Sequence, residues 1–215
     1  GMGLYYHSSP TLTGVTFSNN TASIGGGMYL RASNPTLTSI SFSGNMAIDE
    51  GGGMFIKYSN PTLTDVTFSN NGAIQGGGMS IHASNTTIIN SILWGNSPHE
   101  IYFSLGLGAN STELTISYSD IQGGEAEIVT NGNGTVFWGD GNIDDYPLFC
   151  DTQIGDLTLA ENSPCVGTGQ DGANMGALGI GCPEIIIIGC TDETACNYDA
   201  TANTADGSCE YISEG

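Results

Sequence analysis

Basic residues are almost absent from this chain of 215 residues. Lysine and arginine together number 2, against 22 aspartates and glutamates, so the formal net charge is −20. Such a chain repels the phosphates of nucleic acids and the surfaces of anionic membranes. The isoleucine run at 185–188 is far too short to span a bilayer. We therefore expect neither a nucleic-acid partner nor membrane insertion.

Cysteine is missing from most of the chain, because all six cysteines lie between Cys150 and Cys209. No Cys-x-x-Cys pair is present, which argues against a zinc-thiolate site. An even number of clustered cysteines favours disulfides and an oxidising compartment. No signal peptide is visible and the sequence begins within a repeat, so we expect a piece of a longer exported protein that is secreted or on the cell surface.

Helical periodicity is also missing, and a repeat of about 25 residues takes its place. Four copies fill residues 1–100; the second reads Gly25-Gly26-Gly27-Met28, then Asn34-Pro35-Thr36, then Phe42-Ser43-Gly44-Asn45. Within each copy apolar residues alternate with a period of two, which predicts short strands separated by turn residues. Stacked copies predict an all-β fold, a right-handed single-stranded parallel β-helix, with a small disulfide-rich module after it.

Equivalent positions of stacked copies should form columns. We expect an interior methionine column continued by Leu4, an interior phenylalanine column continued by Leu93, and asparagine ladders at two turns. The methionines are Met28, Met54 and Met79, the phenylalanines are Phe17, Phe42 and Phe68, and the ladders are Asn20, Asn45, Asn71 and Asn96 and, separately, Asn34, Asn60 and Asn85.

The chain divides into three predicted parts. Beyond the four regular copies we expect two degenerate coils and a segment that caps the open end of the helix, because terminal repeats must be atypical. The predicted parts are a β-helix with its cap at 1–182, a linker at 183–189 and a Cys/Asp-rich module at 190–215. Within the β-helical part, the degenerate coils are 101–124 and 125–150, and the cap is 151–182.

The β-helical part resembles two groups of known proteins. The pairing of Gly-Gly-Gly-Met with Phe-x-x-Asn resembles the repeats of chlamydial polymorphic outer-membrane adhesins. The stretches at 119–124, 142–149, 162–165 and 176–179 are similar to the closing pattern of secreted right-handed β-helix proteins of the pectin-lyase-like superfamily. That superfamily includes lyases, hydrolases and non-catalytic adhesins, so the resemblance implies the fold more strongly than the function.

The module is similar to a short Cys- and Asp-rich unit of large secreted surface proteins of marine Bacteroidetes-type bacteria. Its acids and amides are oxygen donors of the kind that calcium prefers. We expect one Ca²⁺ held by Asp192, Asn197, Asp199, Asn203 and Asp206. The alternative is a knot stapled by disulfides alone, with solvated acids.

Catalytic groups are not evident. The two adjacent carboxylate pairs of the β-helix are Asp49-Glu50 and Asp144-Asp145, and neighbours on a strand point to opposite faces. We expect a non-catalytic adhesin or structural protein; the alternative is a fragment of a carbohydrate-active enzyme. Outward Thr-x-Thr pairs, at 11–13, 36–38 and 62–64, also occur in ice-binding β-helices, although threonine suits any exposed strand.

One outward column is the best candidate for binding. The residues that follow the inward methionine alternate with inward apolar residues, so they face outward and include both strong cations of the chain. The predicted ligand-binding set is Tyr5, His7, Tyr29, Arg31, Phe55, Lys57 and His82. Aromatic faces stack on sugar rings and cations attract carboxylate or sulfate, so the hypothesis is a face for an acidic polysaccharide, strengthened by histidine protonation below about pH 6.5. The alternative is an ordinary solvated sheet face.

Overall fold

The computed structural model describes residues 1–105 and 111–211. Short strands dominate both ranges, and the two 3₁₀ turns there span only Glu125–Glu127 and Gln170–Gly172. In chain order the strands are β1 (Met2–Tyr5), β2 (Thr11–Thr13), β3 (Thr16–Ser18), β4 (Thr21–Ala22), β5 (Met28–Arg31), β6 (Thr36–Ser43), β7 (Met46–Ala47), β8 (Met54–Lys57), β9 (Thr62–Ser69), β10 (Met79–His82), β11 (Asn85–Ile89), β12 (Ile92–Trp94), β13 (Ile101–Phe103), β14 (Thr112–Ser117), β15 (Asp120–Ile121), β16 (Gly134–Trp138), β17 (Phe149–Asp151), β18 (Asp156–Ala160), β19 (Ile180–Cys182), β20 (Ile188–Gly189) and β21 (Thr204–Ala205). The all-β prediction is confirmed.

The strands wind into a parallel β-solenoid of about seven turns. Its first face is the parallel sheet β1-β5-β8-β10-β13. A second parallel sheet bends into two further faces, because the long strands β6 and β9 turn at Ser39 and Asp65, whose φ angles of 54° place them in the left-handed region. The second face holds β2, β11, β14, β16 and the first halves of β6 and β9; the third face holds β3, β12, β15 and their second halves.

The outward positions of the second face carry threonines in register. One column joins five neighbouring strands, which contribute Thr11, Thr36, Thr62, Thr87 and Thr115. The predicted Thr-x-Thr array is therefore present as a regular surface, and ice binding by it stays a prediction.

The interior is a set of apolar columns, as predicted, with one change of register. The rings of Phe42 and Phe68 stack with centroids 4.6 Å apart, and Phe17 stacks on Phe42 at 5.0 Å. Met28 pairs with Met2, whereas Leu4 pairs with Leu30, so the expected continuation of the methionine column by Leu4 is wrong by two residues. Fully burying one such side chain contributes about 1.5–3 kcal/mol, and repetition of the column makes the core continuous.

Both predicted asparagine ladders are present. In the buried ladder the Nδ2 atoms of Asn20, Asn45 and Asn71 donate to the Oδ1 atom of the next asparagine over 2.9, 2.9 and 2.8 Å. Each Oδ1 also accepts the backbone N–H of the preceding member. The ladder ends on Glu100, whose carboxylate accepts both the backbone N–H and the Nδ2–H of Asn96. The exposed ladder repeats a single bond, from the backbone N–H groups of Asn60 and Asn85 to the Oδ1 atoms of Asn34 and Asn60, at 2.7 and 2.9 Å.

Glycine triplets mark the corner before the first face. Gly51 adopts a φ of +68°, and a Cβ added to Gly52 would collide with the carbonyl oxygens of Gly72 and Gly77. Only glycine allows the backbone to turn there and neighbouring coils to approach so closely.

Residues 144–182, here called the return segment, fold back along the side of the solenoid. They contain the three-stranded sheet β17-β18-β19, whose ends are joined by a disulfide between Cys150 and Cys182. Their apolar side chains pack with Ile92 of the third face. The expectation that 151–182 caps the open end is therefore wrong in position: these residues contact the side of the helix, where Asn90 and Thr67 supply hydrogen-bond acceptors.

The C-terminal module is held by a second disulfide, between Cys190 and Cys209, and by the short parallel pair β20-β21. The predicted linker takes part in this unit, because it contains β20 and because the carbonyl of Ile185 accepts a hydrogen bond from Asn203. The same carbonyl also accepts one from Asn162 of the return segment. Cys165 is buried and Cys196 is exposed, and both are free thiols. The predicted module extends to residue 215, so its last four residues lie outside the described range. No helix in 1–105 or 111–211 is long and apolar enough to cross a bilayer.

Candidate functional site

The outward side of the first face carries a stack of aromatic rings. The ring centroids of Tyr5 and Tyr29 lie 5.3 Å apart, and those of Tyr29 and Phe55 lie 5.5 Å apart. The strand partner of Tyr29 is Gly3, so the predicted pairing of Tyr5 with Tyr29 is wrong by two residues. The rings still stack because the Tyr5 side chain leans back over Gly3, where an added Cβ would meet its Cε2 atom at 2.8 Å.

The basic side chains form the neighbouring column. Tyr5, Arg31, Lys57 and His82 occupy equivalent positions on β1, β5, β8 and β10. Adjacent parallel strands are about 4.8 Å apart, so the two strong cations of the chain are next to each other along the helix axis. His7 lies outside this column: it follows the strand, in the left-handed region at φ 69°.

Two further tyrosines, which the sequence reasoning missed, pack against the cations. The Arg31 guanidinium lies 5.6 Å from the ring centroid of Tyr6, and the Lys57 ammonium lies 5.4 Å from that of Tyr58. Both tyrosines occupy the turn directly after the strand, with φ angles of 47° and 51°. The available signal was their shared position, one residue after a member of the basic column. Cation–π contacts of this kind hold each cation over an aromatic surface.

Accessibility divides the predicted set. Tyr5 is 49% exposed and Arg31 is exposed, Tyr29 and Lys57 are partly exposed, whereas Phe55 and His82 are only 6% and 9% exposed. Phe55 therefore extends the ring stack but is too buried to contact a ligand. The accessible members of the two columns and the two tyrosines of the turns are here called the tyrosine–cation patch. It consists of Tyr5, Tyr6, Tyr29, Arg31, Lys57 and Tyr58, and the exposed His7 lies outside it.

The electrostatics of the patch depart from the expectation for His82. Burial lowers the pKa of His82 below its ordinary value of 6.5, and the nearby charge of Lys57 lowers this pKa further. A hydrogen bond to Ser104 and the charge of Glu50 act in the opposite direction without reversing the shift. Protonation of His82 therefore requires more acidic conditions than its ordinary pKa implies, and the expected strengthening of binding by histidine protonation below about pH 6.5 stays a prediction.

A carboxylate lies on the same side of the helix. Glu50 accepts a hydrogen bond from the Ser80 hydroxyl over 2.8 Å, and its charge reaches His82. Ser80 is fully buried and is the strand partner of Phe55. Glu50, one of the acids of the adjacent pair Asp49-Glu50, is therefore bonded to a strand of the first face.

Two other carboxyl groups are buried away from the patch. Burial raises the pKa of Glu100 to about 7, although its hydrogen bonds to Asn96 act against the rise. Burial likewise raises the pKa of Asp120 to about 8. No sequence pattern marks Asp120 as a buried acid, because the residues that surround it, 145 and 165, lie far along the chain.

The predicted calcium ligands occupy three similar turns. In each turn the aspartate Oδ1 accepts the backbone N–H of the residue two positions later, over 2.9, 2.9 and 2.8 Å for Asp192, Asp199 and Asp206. Hydrogen bonds, chiefly from Tyr211, Thr201 and Ser208 respectively, lower the pKa of the three carboxyls, which keeps them ionised as a cation requires.

The two asparagines of the predicted calcium set form hydrogen bonds with backbone groups instead. Asn197 accepts from the Glu210 N–H and donates to the Ser208 carbonyl. Asn203 accepts from the Ile187 N–H and donates to the Ile185 carbonyl. Their amides therefore fit backbone positioning better than metal ligation. Within 1–105 and 111–211, no three His, Cys, Asp or Glu side chains converge as a ready-made metal cluster. The calcium site stays a prediction that rests on the aspartates.

Comparison with known proteins concerns the solenoid. A family model described as a right handed beta helix region matches residues 1–143. Neither a curated protein nor a solved structure gives a significant match.

Proposed function

Because this chain belongs to the family of right-handed β-helices, we propose that it is a non-catalytic secreted or cell-surface protein that binds an acidic polysaccharide along its first face. One observation carries the proposal. The only lysine and the only arginine of a chain with formal charge −20 are strand partners, and each lies over a tyrosine ring. Two disulfides, which persist in oxidising compartments, support the extracellular location.

The geometry favours an elongated ligand that runs along the helix axis. Tyr5 and Tyr29 offer stacked aromatic surface from neighbouring coils, and Arg31 and Lys57, which are strand partners on β5 and β8, offer positive charge beside it. Sugar rings stack on aromatic faces, and carboxylates or sulfates pair with the cations. A polysaccharide with one acidic group per sugar could meet both kinds of contact repeatedly, whereas a neutral one would use only the rings.

The test is retention of the full chain and its variants on alginate, pectate and sulfated glycans by affinity electrophoresis. The double variant Arg31→Gln/Lys57→Gln should bind at least about tenfold more weakly, since two exposed ion pairs of about 0.7 kcal/mol each sum to one decade. Tyr29→Ala should also weaken binding, because it removes the centre of the aromatic stack.

Matched controls separate the patch from general charge and aromatic effects. Gln153→Glu with Gln170→Glu changes the net charge by the same two units at exposed positions away from the patch. Tyr198→Ala removes a 41% exposed tyrosine from the module. Both controls should bind like the parent. Retention of the patch variants equal to that of the parent on every glycan would exclude the tyrosine–cation patch as the binding face.

A carbohydrate-active enzyme is the second candidate, and one observation favours it. The Glu50 carboxylate, the Ser80 hydroxyl and the His82 ring lie together beside the patch, so an acid and a base adjoin the proposed binding face. Incubation of each retained glycan with the parent protein separates the two functions. Shortened glycan chains would favour the enzyme, and intact bound glycan would favour the adhesin.

A further inference from the structure

A buried acid lies between the return segment and the solenoid. Asp120 in β15 is fully buried, as is Cys165 of the return segment. The Cys165 thiol donates to Asp120 Oδ2 over 3.1 Å, and the backbone N–H of Asp145 donates to Asp120 Oδ1 over 3.3 Å. Both donors belong to the return segment, so the acid from the solenoid is enclosed by the part of the chain that docks on it.

Burial opposes the ionisation of Asp120. The groups that face it are the Cys165 thiol and the carboxylates of Asp145 and Asp144, and none of them is positively charged. The two hydrogen bonds favour the charged form, but burial outweighs them. A negative charge formed here would be poorly solvated and would repel two neighbouring acids.

The return segment is held together by contacts within it. The Cys150–Cys182 disulfide joins β17 to β19, and β17, β18 and β19 form their own small sheet. Three polar contacts help to dock it: the Gln170 N–H to Asn90 Oδ1 at 2.7 Å, the Gly176 N–H to the Asn90 carbonyl at 2.7 Å, and the Ala177 N–H to Thr67 Oγ1 at 2.9 Å. Successive coils of the solenoid, here called rungs, are joined by their own inter-strand hydrogen bonds. These bonds can stay intact when the return segment undocks.

We propose that the return segment is a pH-sensitive latch on the third face, closed while the Asp120 carboxyl is protonated and released as it ionises. Release exposes the outward side chains of the third face, including Thr67 and Ile92. The docked state binds the proton more tightly than the undocked state, where an aspartate has its ordinary pKa of 3.8, against about 8 when docked. The docking equilibrium therefore weakens about tenfold for each pH unit between these values and changes little at higher pH.

Hydrogen exchange of the full chain between pH 5 and pH 8, corrected for intrinsic exchange rates, tests the latch. The amides of Gly176 and Ala177 report on docking, and the Ala32 amide, bonded to the Lys57 carbonyl over 3.0 Å, reports on the rungs. We expect protection at the first two to fall by up to about tenfold per pH unit and more steeply than protection at Ala32, which follows the stability of the solenoid. Asp120→Asn should abolish this difference in slope, and Asp140→Asn, which changes an exposed aspartate, should keep it.

Either of two results would overturn the proposal. The first, which needs no variant, is equal pH dependence of the docking amides and the Ala32 amide in the parent protein. The second is an Asp120→Asn protein that keeps the parent slope. Tryptophan emission gives an independent measurement in the Trp138→Phe background, since Trp94 packs edge-on against Tyr146 with centroids 5.9 Å apart. Its emission should shift to longer wavelength as the pH rises, and an unchanged spectrum would contradict release.

Discussion

Replacement of Asn71 by alanine should be among the most damaging single changes in the solenoid. Asn71 is 1% exposed. Its Oδ1 accepts from the backbone N–H and the Nδ2–H of Asn45, each at 2.9 Å. Its Nδ2 donates to the Phe42 carbonyl at 2.9 Å and to Asn96 Oδ1 at 2.8 Å. Alanine removes these four bonds and leaves two buried donors of Asn45 without their acceptor.

The expected cost follows from the number of bonds. A buried hydrogen bond contributes about 1 kcal/mol net, so the four bonds amount to about 4 kcal/mol, and the stranded donors raise this figure. Asn60→Ala is the matched control, because Asn60 has the same side chain but is exposed and its Oδ1 accepts only the Asn85 N–H. We expect the control to lose less than about 1 kcal/mol.

The assay is urea denaturation followed by far-UV circular dichroism at one fixed pH, with the slope against urea compared between proteins. A free energy of unfolding for Asn71→Ala within about 1 kcal/mol of that for Asn60→Ala would refute the reasoning, since burial would then not distinguish the two ladders. An altered slope would indicate that the rungs on either side of Asn71 unfold separately, which is a known property of repeat proteins.

Two further predictions concern charge. The pKa of Glu100 is raised from 4.5 to about 7, so the folded state holds this proton more tightly than the unfolded state. The free energy of unfolding should therefore fall by about 3 kcal/mol as pH rises across that window and stay level above it. Urea denaturation at several pH values should show a smaller fall for Glu100→Gln, and a pH profile equal to that of the parent would contradict the prediction. Calorimetry of the oxidised full chain should detect Ca²⁺ uptake that Asp199→Asn weakens and the exposed control Asp140→Asn does not; no uptake by the parent protein would favour the disulfide-only module.

The repeating part of the fold could be predicted because each of its features recurs. The spacing of the Phe42 and Asn45 positions in successive copies placed the stacked rings and the amide ladder correctly. The first copy was misaligned because Gly1-Met2-Gly3-Leu4 contains two candidates for the methionine position. The chain pairs Met2 with Met28, and this register moves Tyr5 from the aromatic column to the cation column.

The position of the return segment could not be predicted in the same way. Its docking bonds join Gln170 to Asn90 and Ala177 to Thr67, across 80 and 110 residues of sequence, and neither bond is repeated elsewhere as a pattern. The burial of Asp120 depends on the same docking, so the acid was indistinguishable from a surface aspartate. The tyrosines beside the cations were missed because alternation along a strand says nothing of the turn that follows it.

The stacking of rungs also determines how the protein would bear a mechanical load. Hydrogen bonds between parallel strands of successive coils run roughly along the helix axis, so a pull along that axis acts on one rung at a time and peels it from the next. Each coil of about 25 residues would release about 85 Å of extended chain. The disulfide between Cys150 and Cys182 keeps the intervening chain from being drawn out, so extension would proceed by equal steps through the solenoid and stop short at the return segment.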